Sequence, residues 1–308
     1  MFCLNCGKEV SDDSNFCINC GCRLDKNSMF EHSAADKKPA IDISSFSHPS
    51  DIKALNALKS IPGFSAVTKA FFKFYNERQF YIQNMSSNLR LSPEQLPEYY
   101  NMLPPICEKL GIAVPELYLS LDVVPNAYTS GDNNPFIVVT SGLIDSMPKE
   151  LIPTVLAHEC GHIACHHTLY HTMGNMILNG TLLAMDSFGL SKLISIPLQV
   201  AFFYWMRCSE YSADRASVLY NGSAENLIEM CMRFSGYKGE NITVRNKELF
   251  IQQAIGYNDY VSQSGWNKTL EFAILKDCTH PFNSVRAFEA NNWTSTQQFS
   301  DAMNLINY

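Results

Sequence analysis

The sequence is poor in positive charge. It has 23 lysines and arginines against 30 aspartates and glutamates, a formal net charge of −7. Proteins that bind nucleic acid present a basic face to the phosphates, so this balance gives no reason to expect such a partner. The 308 residues are 46% hydrophobic and 17% charged, which is typical of a globular protein and excludes a disordered or collagen-like chain.

Long apolar runs are also scarce. The N-terminus has no apolar run resembling a signal peptide. A mostly apolar stretch covers residues 173–206, but its longest uncharged piece, residues 193–206, spans only 14 residues and is too short to cross a bilayer unaided. We interpret it as buried or interfacial helices, with a membrane-embedded hairpin as the alternative. The expected location is the cytoplasm, with association to a membrane surface left open.

Four of the eleven cysteines form two Cys-x-x-Cys-Gly units near the N-terminus: Cys3, Cys6, Cys17 and Cys20. Ten residues separate the two pairs. This spacing suits tetrahedral thiolate coordination of a structural zinc, which would supply most of the folding free energy of so short a segment. We predict a zinc ribbon over residues 1–24, a structural module whose default role is docking or scaffolding, with a protein as the possible partner; redox or disulfide use of the cysteines is the alternative. The other cysteines have no framework spacing, which favours reduced thiols.

Residues 25–50 mix Ser, Asp, Lys, Pro and His without apolar periodicity and are predicted to be a flexible linker. The remaining residues, 51–308, carry helical periodicity with two strand patterns. The helical patterns cover residues 55–84, 92–110, 224–234 and 285–290, and the strand patterns cover residues 116–121 and 135–140. Ser92 followed by proline suggests a helix N-cap, and Gly111 a helix end. The predicted fold is mainly α with a small β-sheet (α+β).

The most informative motif is His158-Glu159-Cys160-Gly161-His162, an HExxH sequence in a helix predicted to run from near Pro148 to His167. Residues four apart lie on one helix face, so both imidazoles can bind one metal ion. Glu159 lies about 100° further round, which suits a general base acting on water at the metal. Pro153 either kinks this helix or marks its true start.

A zinc site of this kind needs a third protein ligand. Metzincin spacing would require Gly at position 165 and His at 168, but the chain has Cys165 and Thr168. Glu210 is the best remaining carboxylate, and Asp214 lies one turn later on the same face. Asp214 would accept a hydrogen bond from a ligand imidazole and fix its tautomer. The alternative is an amphipathic helix with solvated acids.

Together these motifs resemble the HtpX-like and CAAX-prenyl-endopeptidase family of gluzincin metallopeptidases. The matching segments are Asn-Ala-Tyr-Thr at 126–129, Pro-Phe-Ile-Val-Val-Thr-Ser-Gly-Leu at 135–143, Leu-Ala-His-Glu-Cys-Gly-His-Ile at 156–163, Ser-Glu-Tyr-Ser-Ala-Asp-Arg-Ala at 209–216, His280-Pro281 and Arg286. The resemblance runs from residue 55 to residue 290. It implies that Glu210 is the third zinc ligand and that the chain is similar to the soluble or peripheral members.

The resemblance also implies a substrate site. The strand around residues 136–140 would be the edge to which an extended peptide adds, and His280 and Arg286 would line the active site, where they stabilise the oxyanion or gate the metal. The residues expected to bind substrate are Asn126, Phe136, Ile137, Val138 and Val139.

The sequence therefore predicts a zinc endopeptidase that acts on peptides or proteins, with one catalytic and one structural zinc. One alternative is a ribbon-bearing adaptor that captures clients without cutting them. Another is a processing protease anchored by residues 173–206. His166, His167 and His171 extend the histidine-rich face; a second metal there is the less favoured interpretation. Cys160 and Cys165 are interpreted as packing residues.

Overall fold

A computed structural model describes residues 41–74, 77–178, 195–239 and 241–307. The ribbon predicted for residues 1–24 lies outside these ranges, as do linker residues 25–40. The helices described are α1 (Pro49–Ser60), α2 (Phe64–Phe74), α3 (Glu77–Ser87), α4 (Pro97–Tyr100), α5 (Leu103–Leu110), α6 (Ser141–Ser146), α7 (Ile152–Ala164), α8 (Thr168–Leu178), α9 (Ile196–Asn221), α10 (Glu225–Phe234), α11 (Val244–Ser262), α12 (Gly265–Leu275), α13 (Asn283–Thr294) and α14 (Gln297–Asn307). The strands are β1 (Leu89–Leu91), β2 (Glu116–Ser120), β3 (Ala127–Ser130) and β4 (Phe136–Thr140). This confirms the predicted α+β class.

The four strands form one sheet in the order β1-β2-β4-β3. β4 pairs in parallel with β2 and antiparallel with β3, so strands flank it on both sides. The prediction that residues 136–140 form the sheet edge is therefore wrong. Every residue of β4 is buried, and a continuous apolar run is typical of a strand covered on both faces. Within the described ranges, the edge on this side of the sheet is β3.

Helix α7, which carries the HExxH motif, begins at Ile152 after a 3-10 turn over Lys149–Leu151. Pro153 lies in its first turn, where a missing backbone N–H costs nothing, so the proline marks the helix start and does not kink it. The helix ends at Ala164, and His166 adopts a left-handed φ of 56°. His167 therefore lies beyond α7, and the prediction that the helix reaches it is wrong.

The helix predicted from Ser92 to residue 110 is interrupted. The Ser92 hydroxyl accepts hydrogen bonds from the backbone N–H groups of Glu94 and Gln95, so it closes a turn and does not cap a helix. Leu96 has a left-handed φ of 54°, which separates this turn from the helices that follow. Gly111 ends α5 with a φ of 66°, as predicted.

Residues 41–50 belong to the helical domain, although the sequence placed them in the linker. Phe46 is fully buried in the main core, and the Asp42 and His48 side chains cap the short 3-10 helix Ile43–Ser45 and α1, respectively. A single buried aromatic residue leaves no periodicity, which explains why the pattern missed it.

Helices α7 and α9 lie against each other at the centre of the domain. A Cβ atom added to Gly161 would lie 2.7 Å from the Ala216 Cβ and 2.9 Å from the Ala213 Cα, so only glycine allows this approach. The apolar stretch 173–206 contributes the end of α8 and the first part of α9, while residues 179–194 lie outside the described ranges. No helix that the structure describes has both the length and the apolar character needed to span a bilayer.

Candidate active site

Helices α7 and α9 bring two imidazoles and one carboxylate together in the interior. The Nε2 atom of His158 lies 3.3 Å from Glu210 Oε2, and the Nε2 atom of His162 lies 3.3 Å from Glu210 Oε1. Each residue offers one ligand atom, and the three atoms lie within 4.8 Å of one another. These are the three residues expected to bind the catalytic zinc.

The chemistry of this group fits a divalent cation. Glu210 is 1% exposed, and its Oε2 atom accepts no hydrogen bond from the residues described. A buried carboxylate oxygen without a donor is costly, whereas a metal ion would satisfy it. Burial alone would raise the pKa of Glu210, but the charge on His280 and the two imidazoles hold it well below the usual value. The carboxylate is thus kept ionised, as a ligand must be.

Glu159 projects from α7 into the same cavity and is 6% exposed. Burial raises its pKa to about 7; His158 and Arg286 oppose this rise, and the charge of Glu210 adds to it. A carboxyl group that titrates near neutral pH can both accept and return a proton.

Asp214 and Arg286 contact His158 at Nδ1, the ring nitrogen that faces away from Glu210. The Nδ1 atom of His158 lies 2.9 Å from Asp214 Oδ1. Burial opposes protonation of His158, but the neighbouring carboxylates of Asp214 and Glu210 raise its pKa to about 9, so a metal ion competes with a proton for this imidazole. Arg286 is 6% exposed, and its guanidinium contacts Asp214 but does not line the cavity. This placement does not fit direct oxyanion stabilisation, because the buried guanidinium is directed towards a carboxylate.

His162 has a different environment. Burial lowers its pKa to about 4; Glu210 opposes this fall, and the neighbouring His158 and His167 contribute to it. Its Nδ1 atom faces the ring of His167 at 3.0 Å, where His158 has a carboxylate. The two metal-facing imidazoles are therefore held by different partners.

His280 lies at the mouth of the site. Its side chain is 63% exposed, and its Nε2 atom lies 3.7 Å from Glu210 Oε2. The Nδ1 atom forms a hydrogen bond with Thr279 Oγ1 at 2.9 Å. The loop before α13 thus brings His280 beside the metal-binding group, where the resemblance expected it.

A cavity of about 480 Å³ opens over these groups. The edge strand β3 forms one wall, with Asn126 just before it. Phe136 also lines the cavity, but Ile137, Val138 and Val139 do not, because they are buried in the sheet interior. The cavity residues that the sequence did not name as site residues are Phe80, Gln83 and Asn84 on α3, Ala127, Tyr128, Thr129 and Ser130 on β3, Thr172, Asn175 and Met176 on α8, Met206 on α9, and Thr279. The matching segment at 126–129 was the only signal pointing to β3.

A helix bearing HExxH, with a carboxylate supplied by a second helix, defines a metallopeptidase of the gluzincin type. Residues 102–294 match peptidase family M48, and residues 2–24 match a zinc-ribbon domain. The chain belongs to peptidase family M48 and is a zinc metallopeptidase, which confirms the resemblance stated from the sequence.

Curated relatives agree with this assignment. The chain is 29% identical over 270 residues to the plastoglobule-localized metallopeptidase 48, chloroplastic, of Arabidopsis thaliana, an alignment that covers 87% of this chain and 77% of the relative. It is 27% identical over 169 residues to Protease HtpX homolog 2 of Methanosarcina acetivorans, covering 47% of this chain and 58% of that protein. No solved structure matches.

Proposed function

We propose that this protein is a zinc-dependent endopeptidase in which His158, His162 and Glu210 hold the catalytic metal. The observation that carries this proposal is the convergence of two Nε2 atoms on the two oxygens of a buried carboxylate, one of which accepts no hydrogen bond from the described residues. Zinc, when bound, supplies Lewis acidity towards water and the scissile carbonyl.

Glu159 is the general base in this proposal. Its carboxylate takes a proton from the attacking water and later returns it to the departing amine. The raised pKa, about 7, supports both halves of this role because the proton is neither too weakly nor too strongly held at neutral pH.

Two further residues act at different distances from the reaction. His280, with its exposed ring at the cavity mouth, donates a hydrogen bond to the oxyanion that forms as the carbonyl is attacked. Arg286 acts through Asp214: it orients the carboxylate that fixes the Nδ1–H tautomer of His158.

The peptide substrate binds along β3. This strand borders the cavity, and on its outer side it pairs with no other strand in the described ranges. Unpaired backbone N–H and C=O groups bind an extended peptide largely irrespective of its side chains. Asn126 and Phe136 contact the substrate from the cavity wall, while Ile137, Val138 and Val139 support the sheet beneath it.

The N-terminal residues form a second metal site in this proposal. Cys3, Cys6, Cys17 and Cys20 bind a structural zinc, and the ribbon docks a protein partner. The expected metal content is then two zinc ions per chain, one of which remains after deletion of residues 1–24. The proposed location is the cytoplasm, with peripheral contact to a membrane surface.

The test of peptidase function is casein zymography with and without a chelator. Cleavage that disappears on chelation and returns with zinc supports the endopeptidase. A fully metal-loaded protein that binds casein without cutting it would instead support the adaptor. Pelleting after carbonate washing separates an anchored enzyme, which stays with the membrane, from a peripheral one, which is released.

A further inference from the structure

The two imidazoles of the HExxH motif have different hydrogen-bond partners at their Nδ1 atoms. His158 contacts Asp214 directly, whereas His162 reaches a carboxylate through another ring. The Nδ1 atom of His162 lies 3.0 Å from the Nδ1 atom of His167, and the Nε2 atom of His167 lies 2.9 Å from Asp51 Oδ2. The chain of hydrogen bonds from His162 through His167 to Asp51 is called the relay. His167 is 2% exposed and Asp51 is 4% exposed, so the relay is shielded from water.

The partners of Asp51 fix the direction of these hydrogen bonds. Trp205 Nε1 donates to Asp51 Oδ1 at 2.9 Å, and Ser212 Oγ donates to Oδ2 at 2.7 Å. The carboxylate is therefore an acceptor on both oxygens, and His167 must present an Nε2–H group to it. A neutral His167 then accepts at Nδ1, so His162 carries its proton on Nδ1 and leaves the Nε2 lone pair free for a metal.

The same hydrogen bonds exclude a second metal site formed by the cluster of His162, His167 and His171. His162, His167 and His171 have ring nitrogens within 4.8 Å of one another. However, both nitrogens of His167 are engaged, by His162 and by Asp51. The Nε2 atom of His171 is engaged by Ser209 Oγ at 2.7 Å. The cluster is a hydrogen-bond relay with too few free lone pairs to hold an ion of its own.

We propose that His167 and Asp51 are positioning residues of the catalytic metal centre, which hold His162 in the tautomer and orientation that binds the ion. The inference rests on the proposed role of His162 as a ligand. Asp51 lies in α1, outside the residues 102–294 that match the family. Helix α1 is thus a component of the metal centre and more than a cover for α9.

A purely structural role for Asp51 has to be separated from this one, because Trp205 and Ser212 also join α1 to α9 through it. The separating variants preserve or remove the hydrogen bonds of His167 with little change in volume. In His167→Gln, the amide can accept from His162 and donate to Asp51, which preserves the direction of the relay. In His167→Met, a side chain of similar length can do neither.

The measurements are the zinc affinity of the full chain, by competition with a chromophoric chelator, and the visible spectrum of the Co²⁺-substituted protein. His167→Met should lower the affinity about 10–100-fold and alter the Co²⁺ spectrum, whereas His167→Gln should stay within about threefold of wild type. Equal effects of the two substitutions, or wild-type affinity in His167→Met, would overturn the proposal.

A second pair covers the case in which His167→Met does not fold. Ser212→Ala removes one hydrogen bond at Asp51 Oδ2, whereas Asp51→Leu removes the acceptor of both His167 and Trp205. Leucine is close to aspartate in shape but accepts no hydrogen bond, so Asp51→Leu leaves the Nε2–H group of His167 without its partner. It should lower zinc affinity at least about tenfold, whereas Ser212→Ala should stay within about threefold. Equal affinities in this pair would also overturn the proposal.

The wild-type protein distinguishes the two possible failures. If it binds no zinc outside residues 1–24 and cuts no peptide, the proposed function is wrong. If it binds zinc there and cuts, yet the His167 and Asp51 variants match their controls, only the relay is wrong.

Discussion

Arg286 and Asp214 form a two-pronged ion pair in the protein interior. Nη2 of Arg286 donates to Asp214 Oδ1 at 2.6 Å, and Nε donates to Oδ2 at 2.9 Å. Burial opposes the ionised form of Asp214, but the charge and hydrogen bonds of Arg286 and His158 hold its pKa below the usual value. Asp214 thus remains an acceptor for His158 Nδ1 throughout the neutral range.

Replacing this guanidinium by an ammonium should weaken the site without removing its charge. Arg286→Lys cannot form the two parallel hydrogen bonds to Asp214, so we expect kcat/KM to fall about 10–100-fold together with zinc affinity. Peptide cleavage and chelator competition measure the two effects. Arg245→Lys is the control, because Arg245 pairs with Glu248 on the exposed surface. An unchanged kcat/KM in Arg286→Lys would contradict the positioning role.

Glu159→Gln should separate metal binding from chemistry. The amide keeps the volume of the side chain but cannot take a proton, so cleavage should fall at least about 100-fold while zinc content is unchanged. Atomic absorption and a fluorogenic peptide assay provide the two readings. Retained cleavage would show that another group accepts the proton, and loss of zinc would show that Glu159 has a role in binding.

Glu210→Gln should remove the catalytic zinc. Glu210 supplies the negatively charged ligand, and its neutral analogue leaves two imidazoles alone with a dication, so we expect one zinc equivalent to be lost and cleavage to disappear. The matched control is Glu225→Gln, since Glu225 is an exposed partner of Lys247. Full zinc content in Glu210→Gln would remove Glu210 from the ligand set.

Gly161→Ala should force α7 and α9 apart. Its methyl group would lie within 3 Å of Ala213 and Ala216, which should cost about 1–3 kcal/mol of unfolding free energy and lower zinc affinity, because the ligands come from both helices. The control is Gly256→Ala in α11, where nothing lies within 4 Å of the added methyl. That substitution should be neutral or stabilise the helix by up to about 1 kcal/mol. Urea unfolding measures the stability of both variants. Equal unfolding midpoints for Gly161→Ala and Gly256→Ala would contradict the close approach of α7 to α9.

The stability contributed by Asp51 should depend on pH. Burial alone would raise the pKa of Asp51, but the hydrogen bonds that its carboxylate accepts from His167, Ser212 and Trp205 bring it below the ordinary 3.8. Since the folded pKa is the lower one, the ionised carboxylate stabilises the fold above the unfolded pKa, and this contribution is lost as pH falls through the folded value. The difference in unfolding free energy between wild type and Asp51→Asn should be full near about pH 6 and shrink below about pH 4. Urea unfolding of the chelator-treated proteins measures it; a difference that grows in acid would contradict the assignment.

The sequence predicted the parts of the site that depend on local geometry. Spacing of four residues on a helix placed His158 and His162 on one face of α7, and Glu210 and Asp214 on one face of α9. The sequence also predicted the mainly helical class and the strands at residues 116–121 and 135–140.

The sequence alone did not reveal the parts of the site and fold that depend on contacts between distant residues. Asp51 lies 116 positions before His167, and the periodicity of α1 reports that this face is buried but not what it contacts. For the same reason a strand pattern at β4 does not reveal whether β4 is central or at the edge, since strand order is set by partners elsewhere in the chain. Arg286 was recognisable by position, but its direction towards Asp214 required the fold.

The proposed binding of substrate along β3, whose outer side pairs with no strand in the described part of the chain, has a consequence for which proteins can be degraded. A segment that pairs with β3 must offer its own N–H and C=O groups, and in a helix or sheet these are already engaged. On this proposal, folded clients resist cleavage until a stretch of backbone opens, and their turnover follows the population of that open form more than the residues flanking the scissile bond.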